Sequence, residues 1–289
     1  MRYAFFPGCS LDSTAREFRA SAEAVCERLG IELEEIPGWT CCGSSPGHAS
    51  NATLAVALPV VNLLKAVPMG CDVVTTCAAC YSRLRAANHE MTHESELRER
   101  VDEVTGTAYR GTVRVRHLVD VLVNDLGLDL IRDYVERPLG RLRVACYYGC
   151  LLTRPPKVVA FDDPEHPTTL DRLMAAVGAE PVEWPAKTEC CGAGLSLTSP
   201  AVMRQLAFKV LEMAARARAD CVAVACPLCQ SNLDLRQRES VRAVDSDLSL
   251  PVLYFTQLLG LALGLEPKAL GLSRLVVSPE DVLHQVGVQ

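Results

Sequence analysis

Ten of the chain's 14 cysteines form one five-cysteine pattern that is present twice. Each copy has a lone cysteine, then Cys-Cys-Gly, then a CxxC pair. The two sets are Cys9, Cys41, Cys42, Cys77 and Cys80, and Cys150, Cys190, Cys191, Cys226 and Cys229. In both copies 34 residues separate the adjacent pair from the CxxC pair. Thiolates are soft metal ligands and redox-active groups, so this repeat predicts one sulfur-based site that is built two times.

The number of thiols per copy favours a polynuclear iron–sulfur centre. Structural zinc takes four ligands, and a cubane iron–sulfur cluster takes four cysteines, so either would leave one thiol of each copy unused. A larger or less symmetric iron–sulfur assembly uses all five. Zinc in at least one copy and a pure thiol–disulfide relay stay open as alternatives.

Composition limits the cellular setting and the class of partner. The N-terminal apolar stretch is too short for a signal peptide, so we expect a reducing cytoplasm in which clustered cysteines bind metal. The formal net charge of −6 gives no basic footprint for nucleic acid. The most apolar segments, 54–69 and 252–265, contain polar residues or proline, and we predict no membrane span.

The elements around the cysteines repeat in the same order. Short apolar runs that precede motif cysteines predict buried strands at 3–6, 72–76, 142–147 and 221–225, with further strands at 31–36 and 180–184. Helical patterns lie between them at 13–29, 51–67, 168–177 and 200–219. Both halves also continue alike, since 115–118 and 252–255 precede apolar helices that end at glycine.

Alternation of strand and helix predicts parallel sheets. We therefore expect an α/β protein of two similar Rossmann-like domains with small parallel sheets, related by internal duplication. The domains are predicted at residues 1–138 and 139–289. Because loops at the carboxyl ends of parallel strands converge, the three cysteine groups of each copy should meet at one edge of a sheet.

Local geometry should favour thiolate in each copy. A CxxC pair between a strand and a helix places its first sulfur at a helix N-terminus, where free N–H groups stabilise negative charge. Pro227 suits the first helical position because it has no N–H. Gly43 and Gly192 permit a positive φ beside the adjacent cysteines, which lets both sulfurs face the same site.

The complete pattern, Cys-x31-Cys-Cys-Gly-x33-Cys-x2-Cys followed by its second copy with x39, resembles the duplicated cysteine-rich CCG domain of the B-type subunit of heterodisulfide reductase. The resemblance extends over nearly the whole chain and includes Pro7-Gly8-Cys9. It implies two non-cubane [4Fe-4S] clusters, each bound by one five-cysteine set, with a disulfide cleaved or formed between them.

The resemblance also implies partners. Electrons would come from a ferredoxin-like iron–sulfur subunit that is itself supplied by a flavin subunit. An alternative is a non-catalytic electron-transfer or docking subunit of a flavoprotein dehydrogenase that acts on succinate, lactate or a similar substrate. A third hypothesis, a thioredoxin-like protein that uses Cys226 and Cys229, leaves eight motif cysteines unexplained.

The remaining chemically active residues have weaker patterns. Cys26, Cys71, Cys146 and Cys221 are expected to be small buried residues, although Cys146 is the alternative to Cys150 as a ligand. His48 follows the first adjacent pair and is a candidate proton donor. His89 and His93 are expected on a solvated helix face. Arg154, Lys157 and Lys187 are expected as solvated charges, with attraction of an anionic substrate as the alternative.

Overall fold

Two four-stranded sheets, each parallel throughout, organise the computed structural model, which describes residues 1–44, 46–140 and 142–288. The first sheet has the spatial order β2-β1-β3-β4 and the second the order β6-β5-β7-β8. The strands are β1 (Arg2–Phe5), β2 (Glu32–Glu35), β3 (Val73–Thr75), β4 (Val115–His117), β5 (Arg143–Tyr147), β6 (Glu180–Pro181), β7 (Cys221–Val224) and β8 (Val252–Tyr254). The predicted fold class is confirmed.

The two sheets have corresponding registers. In the first, Phe5 of β1 pairs with Glu35 of β2 and with Val74 of β3. In the second, Val144 of β5 pairs with Pro181 of β6 and Cys221 of β7. Strand β6 is shorter than the predicted 180–184, and Pro181 within it cannot donate to the ladder, as is typical of an edge strand.

Helices follow the strands in both halves. The α-helices are α1 (Cys9–Asp12), α2 (Arg16–Arg28), α3 (Pro46–Ser50), α4 (Ala52–Ala66), α5 (Ala78–His93), α6 (Ser95–Thr105), α7 (Leu118–Asp120), α8 (Leu128–Asp133), α9 (Cys150–Thr153), α10 (Pro156–Val159), α11 (Thr169–Ala176), α12 (Pro200–Arg216), α13 (Pro227–Gln230), α14 (Gln237–Arg242), α15 (Phe255–Ala262) and α16 (Glu280–Gln285). Short 3-10 turns occupy Val67–Met69, Ala193–Leu195 and Leu272–Arg274, and π-helical turns occupy Val121–Gly127 and Ser231–Leu235.

Helix α4 and the turn after it are the most apolar helical segment. Ala52–Met69 is long and apolar enough to span a membrane, with 18 residues and a mean hydropathy of 1.7, although the sequence pattern predicts no span. In the fold its middle packs inward, with Val60, Asn62 and Leu63 fully buried. The exposed residues lie near its two ends. Length and composition alone are therefore weak evidence for a span here.

The two halves pack closely against each other. Phe18 of α2 stacks on Tyr254 of β8 with ring centroids 3.9 Å apart, and the buried hydroxyls of Ser21 and Thr256 are 2.6 Å apart. Tyr81 of α5 donates to the carbonyl of Val159 at 2.8 Å. The first sheet ends at His117 and the second begins at Arg143. A domain boundary between residues 138 and 139 stays a prediction.

Candidate functional site

Each lone cysteine begins a short helix directly after a central strand. Cys9 is the first residue of α1, which follows β1, and Cys150 is the first residue of α9, which follows β5. In both sheets the chain runs from this strand to one edge of the sheet, from β1 to β2 and from β5 to β6. The strand on its other side leads to the opposite edge, from β3 to β4 and from β7 to β8. The place between these two directions is a topological switch point. The lone cysteines therefore lie where a parallel sheet opens a crevice.

The CxxC pairs also lie at the junctions predicted from the sequence. Cys77 is the N-cap of α5 and Cys226 is the N-cap of α13, each shortly after a strand. Pro227 occupies the first turn of α13 as expected. At Cys226 the backbone N–H groups of Leu228 and Cys229 help to lower the pKa of the thiol, as expected at a helix N-terminus.

Glycines allow the sulfurs to approach the backbone. Gly43 and Gly192 have φ values of 76° and 77°, which confirms the prediction for both. Gly8 and Gly149, which precede the lone cysteines, have a further role that the sequence pattern did not reveal. A Cβ atom at Gly8 would lie 2.8 Å from Cys80 Sγ, and one at Gly149 would lie 3.2 Å from Cys229 Sγ. The recurrence of Gly-Cys in both copies was the available signal.

In the first copy the sulfurs form close pairs. Cys42 Sγ lies 3.4 Å from Cys80 Sγ, and Cys41 Sγ lies 4.0 Å from Cys9 Sγ. Cys77 contacts Cys80 as well. Cys42, Cys77 and Cys80 are buried, whereas Cys9 and Cys41 are exposed. The fold thus brings together five residues that span 72 positions of the chain, numbers 9 to 80.

In the second copy all five cysteines line one cavity of about 220 Å³. The matching close pair, Cys191 Sγ and Cys229 Sγ, is 3.5 Å apart. Ala78 of the first half, Tyr148 and Leu228 complete part of the wall. Within the described residues no three Cys, His, Asp or Glu side chains form a compact set for a single metal ion. The five thiols of this copy instead line a shared cavity.

The two copies meet at their CxxC pairs. The thiols of Cys77 and Cys226 lie close enough across the junction between the halves for each to shift the pKa of the other. Both cysteines are buried, with 3% of each residue exposed. A group bound in one copy would therefore lie close to a group bound in the other.

His117 bridges the same junction and was not singled out by the sequence pattern. Its Nε2 is 2.9 Å from the carbonyl of Thr76 and 3.1 Å from that of Ala225, the residues before Cys77 and Cys226. The amide of Val119 donates to Nδ1, which places the ring proton on Nε2. Burial lowers the pKa of His117 to about 4, so the ring is neutral at pH 7.

The thiols share protons unequally. A hydrogen bond from Cys41, and another from Cys80, lower the pKa of Cys42 to about 4. A hydrogen bond from Cys150 lowers the pKa of Cys190 to about 6. Hydrogen bonds from Cys229 and Cys77 also lower the pKa of Cys226. The same hydrogen bonds raise the pKa of the donor thiols Cys41, Cys80 and Cys150, so each copy favours thiolate, the form that binds metal, at some of its sulfurs and thiol at others.

Buried hydroxyls next to the cysteines test whether a cluster fits. Within the described chain three buried side-chain polar atoms have no hydrogen-bond partner: the hydroxyls of Thr76, Ser82 and Thr153. Each lies within three residues of a motif cysteine. An unpaired buried hydroxyl is costly, whereas donation to a sulfide or thiolate would satisfy it. The surroundings of the thiols fit an inorganic sulfur acceptor.

An apolar groove of about 500 Å³ leads to the second cavity. It shares Ala193, Gly194 and Leu228 with the cavity wall. The groove is also lined by Arg236 and by Leu197, which is 89% exposed. Ala49 contributes from the first half and is the neighbour of His48. The groove therefore adjoins the cavity that the thiols of the second copy line.

The other cysteine and histidine expectations have mixed outcomes. Cys26, Cys146 and Cys221 are buried as predicted, and Cys71 is half-buried. Cys146 lies inside β5, whereas Cys150 lines the cavity. The His48 side chain is exposed.

The expectation of a solvated charge is wrong for Lys187. Lys187 is only 6% exposed, and its Nζ lies 2.8 Å from Asp171 Oδ1. Asp171 also accepts a hydrogen bond from the buried Tyr148 hydroxyl. Arg154 pairs with Glu165 at 2.8 Å. The buried ammonium of Lys187 is thus not free to attract substrate, whereas the Arg154 guanidinium stays solvent-accessible in its surface ion pair. Lys157 is exposed as expected.

The family model for the cysteine-rich domain CCG matches this chain twice, at residues 3–85 and 144–234. The chain is 34% identical to the 8-methylmenaquinol:fumarate reductase membrane anchor subunit of Wolinella succinogenes, over 95% of this chain and 96% of that protein. It is 32% identical to the B-type subunit of the ferredoxin:CoB-CoM heterodisulfide reductase of Methanosarcina mazei, over 99% and 97%.

One solved structure has the same fold. A hypothetical protein from Helicobacter pylori superposes with a TM-score of 0.75 at 13% sequence identity. The superposition covers 96% of this chain, which spans about half, 52%, of the solved chain. At this identity the likeness supports the architecture of two parallel sheets alone.

Proposed function

The chain belongs to the cysteine-rich CCG domain family, and we propose that it is the iron–sulfur catalytic subunit of a heterodisulfide reductase-like complex. In this proposal it reduces or forms a disulfide, or a related sulfur substrate, between two non-cubane [4Fe-4S] clusters. The resemblance of the sequence pattern and the identity to heterodisulfide reductase relatives over nearly the full length support it.

The proximity of Cys77 and Cys226 at the junction between the halves is the observation on which the proposal most depends. A disulfide takes up two electrons and two protons and gives two thiols. When bound, iron–sulfur clusters supply one-electron exchange, so two neighbouring clusters match the two electrons of one S–S bond.

We propose that each five-cysteine set holds one cluster. Cys9, Cys41, Cys42, Cys77 and Cys80 would hold the first, and Cys150, Cys190, Cys191, Cys226 and Cys229 the second. The cavity shared by all five cysteines of the second set and the lowered pKa of Cys42, Cys190 and Cys226 support this assignment. The hydroxyls of Thr76, Ser82 and Thr153 would donate hydrogen bonds toward the clusters.

The groove at the second cavity is the proposed route for the substrate. Its apolar wall around Leu197 and Leu228 suits the organic part of a disulfide. His48, exposed beside Ala49 of the groove wall, is the candidate that delivers a proton to the departing thiolate. Electrons would come from a ferredoxin-like subunit and a flavin subunit, and the complex would lie in the cytoplasm.

A second candidate function has its own support. The fumarate reductase anchor subunit is 34% identical to this chain, so an electron-transfer or docking subunit of a flavoprotein dehydrogenase is the alternative. In that case the clusters would pass electrons without binding a sulfur substrate. Helix α4, with its apolar composition, would then be a candidate for contact with a membrane partner.

Anaerobic EPR of the purified protein separates the two functions. Under the leading proposal, stepwise addition of glutathione disulfide or cystine to the reduced protein perturbs the spectrum of one cluster, because a substrate sulfur contacts it. Addition of fumarate or menadione serves as the control and only oxidises the clusters. An iron–sulfur spectrum that responds to every oxidant alike contradicts the catalytic proposal and favours the alternative.

A further inference from the structure

The two cysteine sets have the same ligands but different charges around them. Three residues after Cys80 the chain has Arg83, and three residues after Cys229 it has Asn232, each after a serine. Before the adjacent pairs it has Thr40 in the first copy and Glu189 in the second. Both differences make the surroundings of the first set more positive.

Arg83 faces the first set. It lies one turn after Cys80 on α5, so the two side chains occupy the same face of that helix. Arg83 is half-buried, and within the described residues it has no hydrogen bond or ion pair with a protein group. Burial lowers the pKa of its guanidinium, whereas the Cys42 thiolate raises it. The charge of Arg83 is therefore directed toward Cys42 and is not neutralised by a carboxylate.

Asn232 shows that this position contacts the site in the other copy. Its buried side chain donates to the carbonyl of Cys191, the counterpart of Cys42, at 2.9 Å. Its Oδ1 lies 3.1 Å from the hydroxyl of Ser196. The same structural position thus holds a cation beside one set and a neutral amide beside the other.

Glu189 adds to the difference from the opposite side. It is exposed directly before Cys190 and raises the pKa of that thiol, an effect smaller than the hydrogen bond from Cys150. Lys209 lies 3.8 Å from its carboxylate and partly offsets the charge. Arg83 has no such counter-ion among the described residues, so it makes the larger contribution.

We propose that Arg83 makes the first cluster the more easily reduced of the two, with Glu189 adding to the difference. The inference rests on the proposed function, because it requires a cluster in each set. A cation stabilises the more negative, reduced state of a nearby cluster and so raises its reduction potential. The first electron that a donor delivers then resides at the first set, and the second set is reduced only at lower potential.

A redox titration followed by EPR, without substrate, tests the proposal on the full chain. The variants are Arg83→Asn, which copies the residue of the second set, Arg83→Lys, which keeps the charge, and Glu189→Thr, which copies the first set. Arg100→Asn on the exposed face of α6 removes the same charge away from the cysteines. Iron and acid-labile sulfide are measured on every sample to establish cluster content.

We expect two reduction steps in the unchanged chain. Arg83→Asn lowers the equilibrium constant for the step at higher potential about tenfold, or 59 mV for one electron, and leaves the other step in place. Glu189→Thr raises the step at lower potential, and Arg83→Lys and Arg100→Asn shift neither.

Other outcomes overturn the inference in distinguishable ways. Protein without iron and sulfide refutes the proposed function and the inference together. Cluster-containing protein in which Arg83→Asn shifts neither step, shifts both equally, or shifts the step at lower potential refutes only the inference. Unchanged potentials with a raised KM for a disulfide substrate would instead give Arg83 a role in substrate binding. If Arg83→Asn fails to assemble clusters, Glu189→Thr still decides, because an unshifted step contradicts the charge argument.

Discussion

Replacing His117 with phenylalanine is expected to destabilise the junction between the two halves. The ring would keep its contacts with Tyr81, Phe161 and Phe255, whose centroids lie 5.9, 6.1 and 6.2 Å away. It would lose the Nε2 proton that faces the carbonyls of Thr76 and Ala225. Shape is thus nearly conserved while one shared donor is removed.

The magnitude follows from the two acceptors. A buried polar group without its partner costs about 1–3 kcal/mol. Because one N–H serves both carbonyls, we expect His117→Phe to lower the free energy of unfolding by about 2–4 kcal/mol. Since these carbonyls precede Cys77 and Cys226, iron content should also fall in both sets together.

Urea unfolding of the metal-free chain measures the effect without the contribution of bound metal. His284→Phe on α16 is the matched control, because His284 is exposed and its replacement should change stability by less than about 0.5 kcal/mol. His117→Gln, which restores an N–H donor, should recover part of the loss. A His117→Phe protein as stable as the unchanged chain would refute the bridging role.

The remaining predictions concern pH, a buried ion pair and a close backbone approach. The pKa of His117 is about 4 in the folded chain against 6.5 in the unfolded one, so the unfolded state binds the extra proton as pH falls. The free energy of unfolding should therefore drop by about 2 kcal/mol from pH 7 to pH 5. An equal fall of the urea midpoint in the unchanged chain and in His117→Phe would contradict this effect of His117. Lys187→Met leaves Asp171 buried without its cation and should lower the free energy of unfolding in urea by about 3 kcal/mol. The double variant Lys187→Met with Asp171→Asn should recover part of that loss, an outcome that a purely apolar role of Lys187 would not produce. Gly8→Ala places a Cβ 2.8 Å from Cys80 Sγ and should remove about half of the bound iron, whereas Gly30→Ala, also at positive φ but with nothing within 4 Å, should retain it; equal iron in both variants argues against the close approach.

The sequence predicted the sheets and the places of the cysteines well because both depend on local patterns. Short β-branched apolar runs such as 221–225, bounded by polar or turn residues, are typical of buried strands, and a CxxC pair after such a strand is typical of a strand-to-helix junction. The glycines at 43 and 192 have the predicted conformation because no other residue adopts it freely beside two adjacent thiols.

What the sequence did not predict depends on contacts between distant segments. His117 looks like the end of an ordinary strand until the second half places Ala225 against it. Lys187 looks solvated next to a polar loop, yet Asp171 of α11 and the fold around it bury the pair. The role of Arg83 emerges only from the comparison of its position with that of Asn232 beside the matching cysteine. Such pairings have no periodic signature in one chain.

Iron, zinc and acid-labile sulfide analysis of the anaerobically purified protein tests the central claim most directly. We expect iron and sulfide in comparable amounts, about four of each per cysteine set, with roughly half of both lost in Cys42→Ser and half in Cys191→Ser. Zinc without sulfide, or full iron content in both variants, would contradict it.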